Sequence, residues 1–273
     1  MRVGSWNVNR RVGQAAVTQG AFLKANHVEI IAIQEGNTNS LENLCEAAGF
    51  DWFYSGKDFA NDLPKQNARR LSAVIAGKGP RPIECFVFED VAFPERTIVC
   101  DFGEWIACSF HAPPGVSWGI AKPRQAVTIA NWLRQTKKPV WFGIDANTPK
   151  IDHPNFDKTV THWHTGDRKL KGESGDDLLV ASSKIHDLND AFRLYLSKNE
   201  KDLERIIIES PDGPLAVSHR TGKRKEFKGN ARRYDAVWVS NHYDVHNVKY
   251  LYEESVASGS DHSLVVVDLN LLV

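Results

Sequence analysis

The chain has 273 residues, 42% apolar, 10% aromatic and 25% charged, a length that buries a sizeable core unaided and a composition far from disordered or collagen-like chains. Lys+Arg and Asp+Glu balance at 34 each, so overall charge draws no polyanion and any such preference must be local. Neither a signal-peptide core in Met1–Trp6, nor an apolar run of the roughly 20 residues a membrane span needs, nor a C-x-x-C pair among the four cysteines is present, so the expectation is one cytoplasmic domain over residues 1–273 with reduced thiols.

Strands are expected at Arg2–Val8, Glu29–Gln34, Leu71–Ala76, Ile83–Phe88, Trp105–Phe110, Pro139–Ile144, Tyr234–Val239, Val245–Leu251 and Ser263–Leu269, from their length and their Val, Ile, Trp and Phe content. Helices are expected at Gln14–Ala25, Leu41–Ala48 and Pro123–Thr136. In the last of these, Ala126, Ile129, Ala130 and Leu133 form one apolar stripe, Pro123 suits a first turn, and Lys137-Lys138-Pro139 closes the end. Further helix is expected at Asp177–Ser183 and Asp187–Leu196, continuing weakly to Ile208. The polar stretches Thr148–Asp176 and His219–Arg233 read as surface loops, since strands resume after each. Many strands with few helices between them point to the α/β (α+β) class, with two packed sheets and helices outside.

Acidic, amide and imidazole residues recur where apolar runs end. Trp6 leads into Asn7-Val8-Asn9, Ile33-Gln34 into Glu35, Phe110 into His111 and Ile144 into Asp145-Ala146-Asn147, while Asp235 opens a strand and Asp261-His262 precede the last one. Taken singly, each has an ordinary reading: an Asx turn for Asp145–Pro149, edge-capping amides for Asn7 and Asn9, a strand reaching water at Glu35. Asp235 resists this, because a carboxylate inside an aromatic and apolar strand needs a partner, and His262 would serve. Together the set matches what phosphate-ester hydrolysis requires: carboxylates for a hard cation, an acceptor to align water, and donors for phosphoryl oxygens.

In order, SWNVN (Ser5–Asn9), IAIQE (Ile31–Glu35), SFHAPPG (Ser109–Gly115), GIDANTP (Gly143–Pro149), RRYDAVWVS (Arg232–Ser240) and SDHSLVVV (Ser260–Val267) resemble the endonuclease/exonuclease/phosphatase superfamily, over nearly the whole chain. The resemblance implies a four-layer sandwich of two mostly antiparallel sheets flanked by helices, with the site at one end of the sheets. It implies Glu35 as chief ligand of Mg²⁺ or Mn²⁺, with Asn7 and Asp261 completing the shell. Asp145 would align and deprotonate water, Asn147 and His262 would bond phosphate oxygens, Asp235 would keep His262 charged, and His111 would face the phosphate. His111 looks like the deoxyribonuclease I branch, yet the Glu that pairs with that histidine is replaced here by the stretch Asn67-Ala68-Arg69-Arg70. The exonuclease III branch carries Asp where this chain has Asn9.

The region 219–233 holds seven cations against one anion and leads into Asp235. Lys223, Arg224, Lys225 and Arg232 are therefore expected to contact phosphates, with Asn9 and Arg70 also facing substrate. Trp163, Arg168 and Lys169 place an aromatic among cations, which suits stacking on a base or wedging into a groove, or equally packing over the sandwich edge. The expected partner is nucleic acid, DNA first, without a membrane. Alternatives left open are a phosphomonoesterase or phospholipid phosphodiesterase on the same fold, and a nucleic-acid-binding module with weak turnover.

Overall fold

The structure is a computed structural model that describes residues 1–60, 71–114, 119–161, 175–222 and 229–272. Two six-stranded sheets face each other. The first contains β1 (Arg2–Asn7), β2 (Ile30–Asn37), β3 (Trp52–Ser55), β4 (Leu71–Gly77), β13 (Tyr243–Leu251) and β14 (Leu264–Leu271), in the order β13-β14-β1-β2-β4-β3. The second contains β5 (Glu84–Phe86), β6 (Thr97–Asp101), β7 (Ile106–His111), β8 (Val140–Asp145), β9 (Asn189–Asp190) and β12 (Asp235–Val239), in the order β5-β6-β7-β8-β12-β9. In each sheet one central pair is parallel, β1 with β2 and β7 with β8, and every other named pairing is antiparallel. The expected four-layer α/β sandwich is therefore the observed one.

Side-chain alternation along the strands builds the layers. On β2, Ile30 and Ala32 enter the core between the sheets, while Ile31 and Ile33 pack outward under α1 (Gln14–Ala25) and α2 (Leu41–Ala48). Being covered on both faces is why β2 reads as an unbroken apolar run. The second sheet repeats the plan: Ala107 and Trp141 point inward, and Cys108, Phe110 and Phe142 pack against Ala126, Ile129, Ala130 and Leu133 of α4 (Ala121–Gln135). The sheets approach closely at Gly143, where a Cβ would lie 2.4 Å from Ala32 Cβ and 2.9 Å from Ser5 Oγ.

The nine expected strands and the three main helices are present, with ends shifted by at most three residues and α1 and α2 unshifted, beside two one-turn helices, α3 (Gly56–Phe59) and α5 (Asp177–Val180), the latter shorter than the expected Asp177–Ser183. β3, β6 and β9 had no counterpart in the sequence reading. The helix expected from Asp187 starts only at Ala191 as α6 (Ala191–Lys198), because Asn189–Asp190 form β9 and the Asp190 carboxylate caps Phe192 and Arg193. Its continuation is a separate helix, α7 (Glu200–Glu209), after the non-helical Asn199. The polar stretch from His219 is not merely a loop: β10 (His219–Thr221) and β11 (Asn230–Arg232) form a small antiparallel ribbon. All four cysteines are free. Among the described residues no helix is long and apolar enough to cross a membrane.

Candidate functional site

The fold carries six strand ends to one place. Asn7 and Glu35 sit at the ends of the parallel pair β1–β2, and His111 and Asp145 at the ends of the parallel pair β7–β8, where they lie opposite each other in register. Asp235 opens β12 directly across from Asp145. Asp261 and His262 occupy the turn into β14, the antiparallel neighbour of β1. Ser260 ties that turn to β1 by donating its hydroxyl to the Asn7 carbonyl at 2.5 Å.

Asp235 and His262 form the most closed part of the site. The wholly buried Asp235 carboxylate accepts from His262 Nδ1 at 2.9 and 3.1 Å, and Asp145 Oδ2 stands 3.8 Å from the same nitrogen. Burial alone would strip the imidazole of its proton, but the charges of Asp235 and Asp145 prevail and raise its pKa to about 10. His262 is thus an imidazolium at neutral pH, with its backbone also fixed: Trp6 Nε1 donates to its carbonyl at 2.9 Å.

Glu35, His111 and Asp145 form a second group. His111 Nε2 lies 3.6 Å from both Glu35 Oε1 and Asp145 Oδ2. Burial, helped by the nearby cations Arg96, His262, Arg10 and Lys122, pushes the His111 pKa well down, so it is neutral. Burial raises the Asp145 pKa against the pull of His262, and burial raises that of Glu35 against the pull of Arg10, whose Nε is 3.2 Å from Glu35 Oε2. Asn7 Nδ2 donates to Asp145 Oδ2 at 2.8 Å, and the Asn147 backbone N–H donates to Asp145 Oδ1 at 3.0 Å.

The backbone is unusual here. Of five described non-glycine residues with positive φ, Asn9, Arg10, Glu35 and Asn147 are at this rim. Glu35 (φ 53°) lies in the irregularity where β2 slips against β4 between Ile33 and Gly36, and the bulge turns its side chain out of the strand alternation. Asn147 (φ 49°) is held by its side chain donating to the Ala112 carbonyl at 2.9 Å and by Lys122 Nζ donating to its own carbonyl at 3.1 Å.

Buried acidic and histidine groups here suit a divalent metal. Burial raises the protonation of both Glu35 and Asp145, Asp145 adds to the rise at Glu35, and carboxylate and amide oxygens are what a hard cation takes. Two close groups of three stand out among the described residues, Asp145–Asp235–His262 and His219–Asp261–His262, each with ligand atoms within 4.8 Å of one another. In the first, His262 Nδ1 is already engaged by Asp235. In the second, the two imidazoles stack at 4.3 Å with 25° between their planes, so their in-plane lone pairs run side by side and do not converge on one ion. A cation here would rest on oxygen donors.

The structure thus brings Asn7, Glu35, His111, Asp145, Asn147, Asp235 and His262 into one network, with Asp261 beside it. Asn9 is at the rim, its N–H donating to Asn7 Oδ1 at 2.9 Å. Arg232 donates to the Lys150 carbonyl at 3.0 Å and lines a cavity of about 390 Å³ that none of those eight residues lines. Part of the Arg232 guanidinium thus serves the fold. Arg70, Trp163, Arg168, Lys169, Lys223, Arg224 and Lys225 lie outside the described residues. Sequence reasoning missed Arg10, Lys122, Ser218, His219 and Ser260, whose contribution is contact across the fold; only the His219 ring carried a visible chemical signal.

Comparison with solved structures matches the chain to a humanized D. rerio TDP2 carrying 14 mutations. The TM-score is 0.62 at 11% sequence identity, covering 99% of this chain and 98% of that one, and the fold is therefore of this type. No protein-family model and no curated protein sequence matches the chain.

Proposed function

We propose that this chain is a divalent-metal-dependent phosphodiesterase that hydrolyses nucleic acid, DNA foremost, with little sequence preference. The observation that carries the reading is the buried imidazolium of His262, held by Asp235 and aimed with Asp145 and Asn147 at one end of two sheets. A donor that is charged at neutral pH, beside an acceptor carboxylate, suits an anionic substrate attacked by water. The fold shared with TDP2 is consistent with this.

Glu35, Asn7 and Asp261 would hold Mg²⁺ or Mn²⁺, which supplies Lewis-acid charge stabilisation on the phosphoryl oxygens. Asp145 aligns the attacking water and accepts its proton. Its orientation is set by Asn7 and the Asn147 N–H, one on each carboxylate oxygen. His262 donates to a non-bridging oxygen as charge develops there. One Asn147 side-chain N–H is engaged by the Ala112 carbonyl and the other serves the phosphate. His111, neutral, stands between Glu35 and Asp145 and faces the phosphate. Water attacks phosphorus in line and the ester oxygen departs. The cation-rich stretch 223–225, Arg232 and the Trp163–Lys169 segment would bind backbone phosphates and an unpaired base, which favours nucleic acid over a lipid headgroup.

The test is digestion of plasmid and of end-labelled single- and double-stranded DNA and RNA with Mg²⁺ or Mn²⁺, beside Asp145→Ala and His262→Ala. Metal-dependent cutting by the wild type, reduced by about a hundredfold or more in each variant, supports the reading. Equal activity of all three proteins, or phosphate release from nucleotides or inositol phosphates with polynucleotides intact, overturns it.

A further inference from the structure

An Asp–His hydrogen bond fixes one atom of the imidazole but not its plane, because the terminal torsion of histidine is broad. His262 is held to Asp235 through Nδ1 alone. Whether its other nitrogen meets the same point of the pocket in every molecule depends on what holds the ring face.

That face is covered by His219, parallel to within 25° at a centroid distance of 4.3 Å, and His219 itself stacks on Tyr234 at 5.8 Å and 24°. His219 is well anchored. It pairs with Arg232 in the β10–β11 ribbon and bridges to His262 by backbone pairing, and its Nδ1 lies 2.9 Å from the Asp261 carbonyl. A carbonyl only accepts, so Nδ1 carries the hydrogen. The preceding Ser218 accepts from the Tyr234 and Asp235 N–H groups with its hydroxyl, and its carbonyl accepts from Ser263 N–H at 2.7 Å. The Ser218–His219 pair therefore stitches β12 of the second sheet to the β14 turn of the first, and those are the segments that carry the two partners of the dyad.

We propose that His219 is a positioning residue, the stacking wall that sets the plane of the His262 ring and the clamp that holds the Asp261 backbone beside it. This rests on the phosphodiesterase reading for its catalytic consequence but not for its geometry. The stack acts through ring area and the clamp through one donor, so the two parts separate by substitution. His219→Phe keeps the wall and loses the clamp, and His219→Ala loses both.

Hydrolysis of bis(p-nitrophenyl) phosphate and of plasmid is measured for wild type, H219A, H219F, H262A and H219A/H262A. The expected result is a kcat about ten- to a hundredfold lower in H219A with KM within about threefold, and largely restored in H219F, as small misplacements of a reacting group cost that much. In the H262A background H219A adds nothing further, because it acts through His262. Additive losses in the double variant, or equal losses in H219F and H219A, overturn the proposal.

A second measurement does not need activity. The His262 Nδ1 proton, hydrogen-bonded to Asp235, gives a downfield proton resonance, which is expected in wild type and H219F and broadened away in H219A. A sharp, unshifted resonance in H219A overturns the proposal. A wild type without phosphodiesterase activity overturns the functional reading instead, and the resonance then decides the positioning role alone.

Discussion

Two buried ionic clusters lie a few residues apart in this protein and are built on opposite terms. In one, Asp152 accepts from Arg233 Nε at 2.6 Å, Arg233 Nη2 at 3.1 Å, Arg193 at 2.5 Å and the Leu215 N–H at 3.2 Å, and Asp190 accepts from Arg233 at 2.5 Å. Every carboxylate meets a guanidinium, and Arg233 and Arg193 outweigh burial to hold the Asp152 pKa below its ordinary value. In the other, Glu35 and Asp145 are both raised by burial, Glu35 also by Asp145 and Asp145 also by Asp235, with one imidazolium and one exposed arginine nearby. The first cluster closes its charges and fixes β9, β12 and the Asp152 segment together. The second leaves negative charge under-compensated at a pocket rim, a state that favours a bound cation more than it favours the folded chain.

The contrast is broken most severely by removing the shared cation of the closed cluster. Arg233→Met leaves Asp152 and Asp190 buried with only Arg193 between them, and the expected loss is about 3–5 kcal/mol in urea unfolding. A loss below about 1 kcal/mol, in the range of an exposed pair, would show that the network is not the structural lock described here.

A smaller effect separates the clusters by pH. The His262 pKa is raised from 6.5 to about 10 in the folded state, so its contribution to stability is complete below 6.5 and is lost as pH rises towards 10. Asp152 has the opposite sign: its pKa is lowered from 3.8, and its contribution is lost as pH falls through the acid range. Melting temperature followed from pH 6.5 upward is expected to fall in the wild type and to fall less in His262→Gln. Buried tyrosines, raised above 10, act only beyond that window. Parallel curves for the two proteins would mean that His262 is not charged in the fold.

Which of this was legible in the sequence follows from the range of each interaction. Periodicity is local, so the nine strands and α1, α2 and α4 could be read from windows of a few residues, and Asp235 stood out because a carboxylate in an aromatic strand demands a partner. The ordered strand-end motifs carried the rest through their resemblance to a known fold. Thr97–Asp101 escaped although it is buried, because a short strand behind Pro94-Glu95-Arg96 resembles a loop. Asn189–Asp190 escaped because two polar residues carry no strand signal; only pairing to Trp238 and Val239 makes them one. The positive φ of Glu35 was invisible, since glutamate does not announce a bulge. Ser218, Lys122 and Ser260 act through hydrogen bonds to segments 16 to 253 residues away, which no local pattern encodes.

The finest test of the contrast is Glu35→Gln. The amide keeps the size of the side chain and removes a charge that burial and Asp145 both disfavour, while it gives up the ion pair with the exposed Arg10. An exposed pair contributes about 0–1 kcal/mol, and relief of a buried repulsion is of the same order, so the folded state is expected to be unchanged or more stable by up to about 1 kcal/mol. Metal-dependent hydrolysis, by contrast, is expected to be lost. Because the folded pKa of Glu35 is raised, its charge erodes stability as pH rises above 4.5, and the variant's advantage over wild type should be larger at neutral pH than at acid pH. A Gln variant destabilised by several kcal/mol at pH 7 would place Glu35 in the closed class with Asp152, and would mean that the pocket's carboxylates are matched inside the protein and not held for a ligand.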